Sequence, residues 1–242
     1  MEDRLSRMRL MVGEKALKRL QKAHVLVAGC GAVGGFAIEA LARSGIGHLT
    51  IVDNDVVSVS NINRQLVALH STLGQKKVEV AKKRITDIAP EMKVNIIDRL
   101  INTESVEDIL ACRPDFVIDA IDSLNPKVCL IEALVKTGIP FVSSMGAAMK
   151  KKPELVRVTK MKDSYQCPLA AFIRKRLRRR KVALDFPVVY SPEKPDKIHL
   201  KMPDNTEQKS GRVRHEMGSL ATLTGIFGLT AAQVALDYFI KD

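Results

Sequence analysis

Short apolar runs alternate with amphipathic segments between residues 20 and 150 of the chain. A short apolar run bounded by polar residues is typical of a buried strand, and apolar residues at helical spacing are typical of a helix. The predicted strands are Val25–Ala28, Leu49–Val52, Val94–Ile97, Phe116–Asp119 and Phe141–Ser143. The predicted helices are Gly13–Gln21, Ala32–Ser44, Lys76–Ile88, Ser105–Ala111 and Pro126–Thr137. Because strand and helix repeat, we expect an α/β fold, a Rossmann-like, mostly parallel sheet with helices on both faces.

The last of these helices has a clear start signal in the sequence. Asn125 is a preferred cap residue, and Pro126 suits the first helical position because its missing N–H would have no partner there. We therefore expect the helix to begin at these two residues.

The alternation is less regular from residue 151 onward. The predicted elements are a strand at Leu155–Thr159, a basic helix from Leu169, a strand at Val188–Tyr190, a loop over 201–211 and a long apolar helix over Gly218–Ile240. Gln233 and Asp237 interrupt the last helix, whereas a membrane span needs about 20 predominantly apolar residues. We therefore expect a C-terminal extension with extra strands and a long buried or interface helix, and no contact with a membrane.

The chain has 242 residues, 46% of them hydrophobic, which is enough to bury a substantial core. We expect one domain over residues 1–242, with a nucleotide core at about 20–150 and an extension at about 151–242. The first residues, "MEDRLSRMRLMVGEKAL", carry charges throughout and lack the apolar run of a secretory signal. We therefore expect a cytoplasmic protein.

The four cysteines are Cys30, Cys112, Cys129 and Cys167, and no two of them form a CxxC pair. A structural zinc site needs clustered soft ligands, so we predict no zinc. Disulfides are not expected, because thiols in the cytoplasm are normally reduced. We expect the first three cysteines to be small buried residues.

The whole chain has a formal net charge of +12. The positive charge is concentrated in one short segment. The run "RKRLRRRK" consists of Leu177 and the cations Arg174, Lys175, Arg176, Arg178, Arg179, Arg180 and Lys181. Such a run is often only the solvated face of a helix. Like charges at this density repel one another, however, so we favour contact with a polyanionic partner. No aromatic residue is interleaved in the run, so recognition of a nucleic acid is expected mainly through shape and backbone.

The segment "VLVAGCGAVGG" has the pattern GxGxxG directly after the first predicted strand. Gly29, Gly31 and Gly34 permit a tight turn and a close approach of the backbone, so phosphates can bind at the N-terminus of the following helix. Asp53 ends the second predicted strand, where a carboxylate accepts hydrogen bonds from ribose hydroxyls. These residues predict a nucleotide site. The same pattern is also expected in a nicotinamide dehydrogenase.

The next segment, "DNDVVSVSNINRQ", favours cleavage of ATP over hydride transfer. Its candidate binding residues, together with the lysine that opens the next helix, are Asp53, Asp55, Ser60, Asn61, Arg64 and Lys77. An enzyme that breaks the bond between the α- and β-phosphates must neutralise charge on both products, which suits an arginine and a lysine. Each residue alone has another explanation, as a turn former or a surface charge.

Asp122 and Ser123 follow the predicted strand Phe116–Asp119 in "VIDAIDS". Ligands gather at the carboxyl ends of the strands in open parallel sheets. Mg²⁺ prefers carboxylate and phosphate oxygens, so Asp122 is the candidate metal ligand. The alternative is that Asp122 caps the turn that follows.

Six motifs occur in a fixed order: "RLSR", "GCGAVGG", "IVDND", "SNINRQ", "GQKKVE" and "VIDAIDS". In these motifs the chain resembles the ubiquitin-activating-enzyme superfamily, whose bacterial members adenylate carboxylates. The segments "EALARSGIGHLTIVD", "IDAIDSLNPK" and "CPLAAFIRKRLR" are most similar to the tRNA threonylcarbamoyladenosine dehydratases. The resemblance covers nearly the whole chain.

The resemblance implies a role for each matching residue. The phosphate turn would comprise Gly29, Gly31, Ala32 and Gly34, and Asp53 would bind the ribose. The triphosphate would be contacted by Asn61, Arg64 and Lys77, and Mg²⁺ would be bound by Asp122. In dimeric relatives an N-terminal arginine reaches the ATP of the partner subunit, and the spacing of "RLSR" makes Arg7 the match in an expected homodimer. Ala32 departs from the glycine of many relatives. The segment "RVRHEMGSLATL" lacks a cysteine that some dehydratases carry, so any thiol step would depend on Cys167.

The implied reaction is ATP-dependent dehydration of threonylcarbamoyladenosine, at an adenosine beside the anticodon of tRNA, through an adenylated carboxyl group. The alternative is adenylation of the C-terminus of a ubiquitin-like sulfur carrier, as in molybdopterin and thiamine synthesis, and a sulfur-relay protein stays a candidate partner. Those relatives generally have a CxxC pair, which this chain lacks. A module that holds RNA without chemistry would explain the charge but not the set Arg64, Lys77 and Asp122.

Overall fold

The computed structural model describes residues 3–195 and 217–241. Its strands are β1 (His24–Ala28), β2 (His48–Val52), β3 (Lys93–Ile97), β4 (Phe116–Asp119), β5 (Phe141–Ser144), β6 (Arg157–Lys160) and β7 (Pro187–Tyr190). They form one seven-stranded sheet in the order β3-β2-β1-β4-β5-β7-β6. β6 pairs antiparallel with β7, and the other neighbours pair in parallel. The predicted Rossmann-like, mostly parallel sheet is confirmed.

Helices cover both faces of this sheet. They are α1 (Ser6–Lys22), α2 (Gly34–Arg43), α3 (Lys77–Ile88), α4 (Val106–Leu110), α5 (Leu124–Thr137), α6 (Pro168–Arg179) and α7 (Ala221–Ile240). α1, α2, α3 and α7 contribute to one hydrophobic core, and α4, α5 and α6 contribute to the other. In β1, Val25 and Val27 face the first core while Leu26 and Ala28 face the second. Burial on both faces explains why the strands read as continuous apolar runs.

α7 packs directly on the start of α2. A Cβ atom built at Gly228 would lie 2.2 Å from the carbonyl oxygen of Val33, so the two backbones meet without a side chain between them. α7 is long and apolar enough to cross a membrane, but half of its apolar window is buried inside the fold. This burial agrees with the predicted packing helix.

The starts of α1 and α5 differ from the prediction for reasons that the structure shows. α1 begins at Ser6 rather than Gly13, and it changes direction at Gly13, where φ is 78° and ψ is 163°. Its first half was missed because Leu10 and Met11, 88% and 83% exposed, provide no apolar stripe toward a core. α5 begins at Leu124, with Ser123 rather than Asn125 at the cap position. Pro126 is tolerated in the first turn, because the first N–H groups of a helix have no intrahelical partner.

Other boundaries differ from the prediction by a few residues. Residues 153–155 form a helical turn, and the strand predicted at Leu155–Thr159 begins at Arg157 instead. β6 is an edge strand with largely exposed side chains, so apolar patterning does not fix its exact bounds. Cys30 and Cys129 are buried as expected, whereas Cys112 is exposed after the short helix α4, and its predicted burial was wrong. The predicted loop over 201–211 lies outside the described residues.

Candidate active site

The glycine turn between β1 and α2 is held by backbone packing. Gly29 has φ of 97°, and a Cβ atom there would lie 2.9 Å from the carbonyl oxygen of Ala120. A Cβ atom at Gly34 would lie 1.7 Å from the carbonyl oxygen of Gly29, which is closer than any side chain can approach. The Gly29 amide also donates to the Val52 carbonyl at 2.7 Å. The turn is therefore fixed against the ends of β2 and β4.

Gly31 differs from the two glycines around it, because its outer side is open. A Cβ atom there would meet only Gln65 Nε2, at 3.8 Å. α2 begins three residues later without a side-chain cap, and Ala32 lies within this turn. An uncapped helix start presents amide groups and the positive end of the helix dipole. The turn can therefore hold a phosphate group close to its backbone.

Asp53, directly after β2, is oriented by the same turn. Its two carboxylate oxygens accept hydrogen bonds from the amides of Cys30 at 2.7 Å and Asp55 at 2.8 Å. Burial raises the pKa of Asp53, and the positive charge of Lys77 acts against that rise. Each carboxylate oxygen keeps a second lone pair, so ribose hydroxyls can still donate to it.

Lys77 lies beside this carboxylate at the start of α3. Its Nζ donates to Asp55 Oδ2 at 2.8 Å, and the Lys77 side chain is 6% exposed while that of Asp55 is 64% exposed. Burial raises the pKa of the Cys30 thiol, and Lys77 also opposes that shift. The Lys77 ammonium group is therefore near enough to Asp53 and to Cys30 of the glycine turn to oppose the rise in the pKa of both.

The loop over residues 58–65 shapes the same side of the site. Asn61 is buried, and its Oδ1 accepts from the Ser58 amide at 3.2 Å, so this atom shapes the loop itself. Ser60 Oγ lies 3.0 Å from Ser58 Oγ. Arg64 Nη1 donates to the Ser60 carbonyl at 2.7 Å and to Asn63 Oδ1 at 2.8 Å, and no carboxylate in the described part of the chain pairs with it. Its charge is therefore available to an anion.

Asp122 and Ser123 lie on the opposite side of the turn, after β4. The Ala120 contact with Gly29 brings this segment next to the phosphate position. Asp122 is exposed, and its Oδ1 accepts from Ser123 Oγ at 3.1 Å. No group of three or more His, Cys, Asp or Glu residues that could hold a metal occurs within residues 3–195 and 217–241. A lone carboxylate still fits Mg²⁺, which is commonly bound by one or two carboxylates, substrate phosphates and water.

A buried polar cluster behind Asp122 was not anticipated from the sequence. Lys127 Nζ donates to Asp119 Oδ2 at 2.7 Å, and Ser143 Oγ donates to the same oxygen at 2.5 Å. Lys127 and Asp119 are fully buried. Burial lowers the pKa of Lys127, and Asp119 acts against that shift. The cluster ties β4, α5 and β5 together beneath the segment that carries Asp122.

Gln65 is a second residue that sequence reasoning missed. It is buried beside Gly31, and its Oε1 is the one buried side-chain polar atom of the described residues without a hydrogen-bond partner. The signal was its place in "SNINRQ", immediately after Arg64. An unpaired amide oxygen next to the turn gives a nucleotide site a further acceptor.

Arg7 does not join the site of its own chain. Its neighbours Arg4 and Leu5 contact the far end of α2, since Arg4 Nη1 donates to the Ala42 carbonyl at 3.1 Å and Leu5 packs on Gly45. α2 has 10 residues, or about 15 Å, between that end and the glycine turn. Arg7 is exposed on this distant side.

The cations of the basic run divide into two groups. Arg174 donates to Ser164 Oγ, Arg176 donates to Asn125 Oδ1, and Arg180 pairs with Glu132. The side chains of the other four are exposed and have no hydrogen bond or ion pair to any described residue: Lys175, Arg178, Arg179 and Lys181. Part of the run therefore holds α6 on α5 and its surroundings, and the rest faces solvent.

Known proteins share this architecture over the whole chain. A tRNA threonylcarbamoyladenosine dehydratase of Bacillus subtilis is 36% identical, with 100% of this chain and 96% of that protein covered. The crystal structure of the E. coli tRNA N6-threonylcarbamoyladenosine dehydratase in complex with ATP superposes with a TM-score of 0.88 at 34% identity, covering 98% of this chain and 93% of that one. A molybdopterin-synthase adenylyltransferase of Escherichia coli is 32% identical over 64% of this chain and 59% of its own length. The ThiF family model matches residues 3–242, and the chain belongs to the ThiF family.

Proposed function

We propose that this protein is an ATP-dependent tRNA threonylcarbamoyladenosine dehydratase. The observation that carries the proposal is the convergence of Asp53, Lys77 and the open backbone of Gly31 at one uncapped helix start. That arrangement suits a nucleotide whose phosphates are attacked. The full-length similarity to dehydratases, one of them solved with ATP, supports tRNA as the substrate.

The reaction has two steps. An oxygen of the threonylcarbamoyl carboxylate attacks the α-phosphorus of ATP, a new O–P bond forms, and pyrophosphate leaves. A nucleophilic atom of the same side chain then attacks the activated carboxyl carbon, loses its proton, and expels AMP with the former carboxylate oxygen. The tRNA loses the elements of one water molecule. The attacking atom is already tethered to the reacting carbon, so no enzyme nucleophile is required.

Arg64 and Lys77 would stabilise negative charge on the phosphates as the α–β bond breaks. Lys77 is positioned by Asp55, and Arg64 by Ser60 and Asn63. Donors fixed in advance stabilise developing charge without reorganisation during the reaction. Asp53 would hold the ribose, with Asp55, Ser60, Asn61 and Ser123 shaping the surrounding loops.

Mg²⁺ would be held by Asp122 together with the ATP phosphates. When bound, the ion neutralises phosphate charge. Asp122 fits this role because it is exposed, oriented by Ser123 and adjacent to the phosphate position.

A homodimer would supply Arg7 to the site of the partner subunit. Arg7 lies on the far side of its own α2 and is exposed, so it is available to another copy of the chain. An active monomer by light scattering at micromolar concentration would remove Arg7 from the site.

The tRNA would bind along α6, through Arg174, Lys175, Arg176, Arg178, Arg179, Arg180 and Lys181. The four cations whose side chains have no internal partner suit phosphate contacts best, because their N–H groups are not already engaged and their charge is not paired with a carboxylate. A tRNA-modifying enzyme of this kind would work in the cytoplasm, where both of its substrates occur.

The deciding experiment is incubation of the protein with ATP, Mg²⁺ and tRNA that carries threonylcarbamoyladenosine, followed by nucleoside mass spectrometry. We expect the modified nucleoside to lose the mass of one water and AMP to form in equal amount. An unchanged nucleoside would refute the proposal. Pyrophosphate exchange that requires a ubiquitin-like protein with a C-terminal glycine, rather than tRNA, would instead support adenylation of a sulfur carrier.

A further inference from the structure

An aromatic side chain stands on the basic face of α6. Phe172 is 59% exposed, whereas Ala170, Ile173 and Leu177 bury the opposite face of the helix. Phe172 and Lys175 are three residues apart and are therefore neighbours on the helix surface. Single exposed apolar residues are common and need no explanation by themselves. Phe172 is of interest because of the groups around it.

The same face carries cations without internal partners. Lys175, Arg178 and Arg179 continue the exposed stripe from Phe172 toward the end of α6. None of their side chains has a hydrogen bond or an ion pair to residues 3–195 or 217–241. The stripe thus joins a flat aromatic ring to a row of uncompensated positive charge. That combination is complementary to a single strand of nucleic acid, whose bases stack and whose phosphates are anionic.

The position of α6 brings this ring toward the candidate active site. The start of α6 lies near the carboxyl end of β5, since a Cβ atom at Gly146 would be 3.7 Å from Cys167 Sγ. Arg176 bonds to Asn125, three residues beyond Asp122. Phe172 is one turn closer to the start of α6 than Arg176, which is about 6 Å along the helix axis. It therefore stands at the rim of the site, on the Asp122 side.

We infer that Phe172 stacks on an unpaired base of the RNA substrate next to the modified adenosine. This inference rests on the proposed function. To reach the phosphate turn, the threonylcarbamoyl group must leave the stacked loop of the anticodon, and the neighbouring base then loses a stacking partner. Phe172 replaces that partner, while Lys175, Arg178 and Arg179 follow the backbone. Although the basic run itself contains no aromatic residue, the fold adds one to its face.

The test compares Phe172→Ala, Phe172→Leu and Phe172→Trp for binding to an anticodon stem-loop RNA that carries threonylcarbamoyladenosine. One base–aromatic stack corresponds to about a 5- to 150-fold change in affinity. We expect Ala and Leu to weaken binding within that range, and Trp to retain it. The slope of affinity against salt should not change in any of the three. The matched variant Lys175→Gln should flatten the slope by about 0.7 to 0.9 units, because it removes a charge rather than a ring.

A scan of abasic nucleotides around the modified adenosine identifies the stacked base. At one position the loss of the base should abolish the difference between the wild-type protein and Phe172→Ala, as expected for two groups that interact with each other. Equal affinity of Phe172→Ala and wild type would overturn the inference, as would a Leu variant that binds like wild type. A smaller mass of Phe172→Ala by light scattering would assign the ring to a contact between copies and also overturn it.

Failure of the stacking contact can be distinguished from failure of the proposed function. If the wild-type protein dehydrates the modified nucleoside but the Phe172 variants bind RNA normally, only the stacking contact is refuted. If the wild-type protein neither binds the RNA nor dehydrates it, the proposed function fails and the stacking contact with it. ATP binding should be equal in all variants, since the glycine turn is built from β1, β2, β4 and α2.

Discussion

The glycine turn and the exposed face of α6 are built in opposite ways. At the turn, backbone atoms fix the geometry: Gly34 lies against the Gly29 carbonyl, and Gly29 lies against Ala120. On α6 the geometry is that of an ordinary helix, and the chemistry depends on side chains without polar partners in the described chain, such as Lys175 and Arg178. Changes at the turn should therefore alter folding and catalysis, whereas changes to the unpartnered side chains on the exposed face of α6 should alter affinity alone.

The largest expected effect is that of Gly34→Ala. Its methyl group would overlap the Gly29 carbonyl oxygen, so α2 and β1 cannot keep their present spacing. We expect loss of the folded state, measured by circular dichroism and by the yield of soluble protein. Gly31→Ala is the matched control, because its methyl group enters open space. It should fold normally and bind ATP more weakly; a Gly34→Ala protein with wild-type melting would contradict the packing argument.

Lys127→Met should be nearly as destabilising while leaving the turn residues in place. It leaves the Asp119 carboxylate buried without its cation, which typically costs about 3–5 kcal/mol. Urea denaturation measures this loss. The double variant Lys127→Met with Asp119→Asn should be more stable than Lys127→Met alone, since the buried charge is then gone. If the two substitutions simply add, the pair does not interact as the structure indicates.

Arg64→Ala should lower turnover by about a hundredfold or more, the usual result of losing one donor to developing charge. ATP binding should weaken far less, because the charge is needed mainly in the transition state. Turnover is measured by AMP release with modified tRNA. Arg43→Ala is a suitable control, because Arg43 is an exposed arginine that pairs with Glu39 in the last turn of α2, at the end of that helix far from the glycine turn. Near-normal cyclisation by Arg64→Ala would remove this residue from the mechanism.

On α6, two groups of cations should behave differently. Replacing Lys175, Arg178 and Arg179 by Gln should weaken tRNA binding and flatten its salt dependence by up to about 0.9 units for each phosphate that is no longer neutralised. Arg176→Gln with Arg180→Gln removes the links to Asn125 and Glu132, so this pair should lower the melting temperature. Fluorescence anisotropy over a salt series and thermal melting separate the two groups. If the wild-type protein and the triple Gln variant show the same salt slope, the exposed face of α6 does not contact tRNA phosphates and is only a solvated surface.

The smallest expected effect is a change of stability with pH that arises from two histidines of the sheet. The rings of His24 and His48 stack at 3.7 Å, and burial, followed by the charge of His24 and of Lys93, lowers the pKa of His48 to about 4 from 6.5. Between those values the unfolded chain binds more protons than the folded one, so stability falls as the pH falls. Melting curves from pH 7 to pH 4 should show a shallower decline for His48→Gln. The helix α6 contains no histidine, so its contribution to RNA binding should not follow this response.

The sequence predicts the nucleotide region better than the extension, for physical reasons. β1, β2, β4 and β5 are buried on both faces, so each appears as a local apolar run, and the glycine turn is local as well. The partners Asp119, Lys127 and Ser143 are brought together only by strand order, which no local pattern encodes. β6 was predicted two residues too early, because the apolar residues before it belong partly to the helical turn over 153–155. The sequence alone does not show which cations of α6 have a partner, because the partners Asn125 and Glu132 lie on the neighbouring helix α5.

The close contact between Gly228 and Val33 has a consequence for the order in which the chain acquires its parts. Chains are made from the N-terminus, and domains generally fold as units once enough of them has emerged. The glycine turn and its phosphate-facing residues emerge early, but the helix that covers α2 emerges after every strand. A nascent chain therefore exposes the apolar side of α2 until α7 has been synthesised. A chain released from the ribosome before α7 is made would keep this apolar surface exposed and would be prone to aggregation.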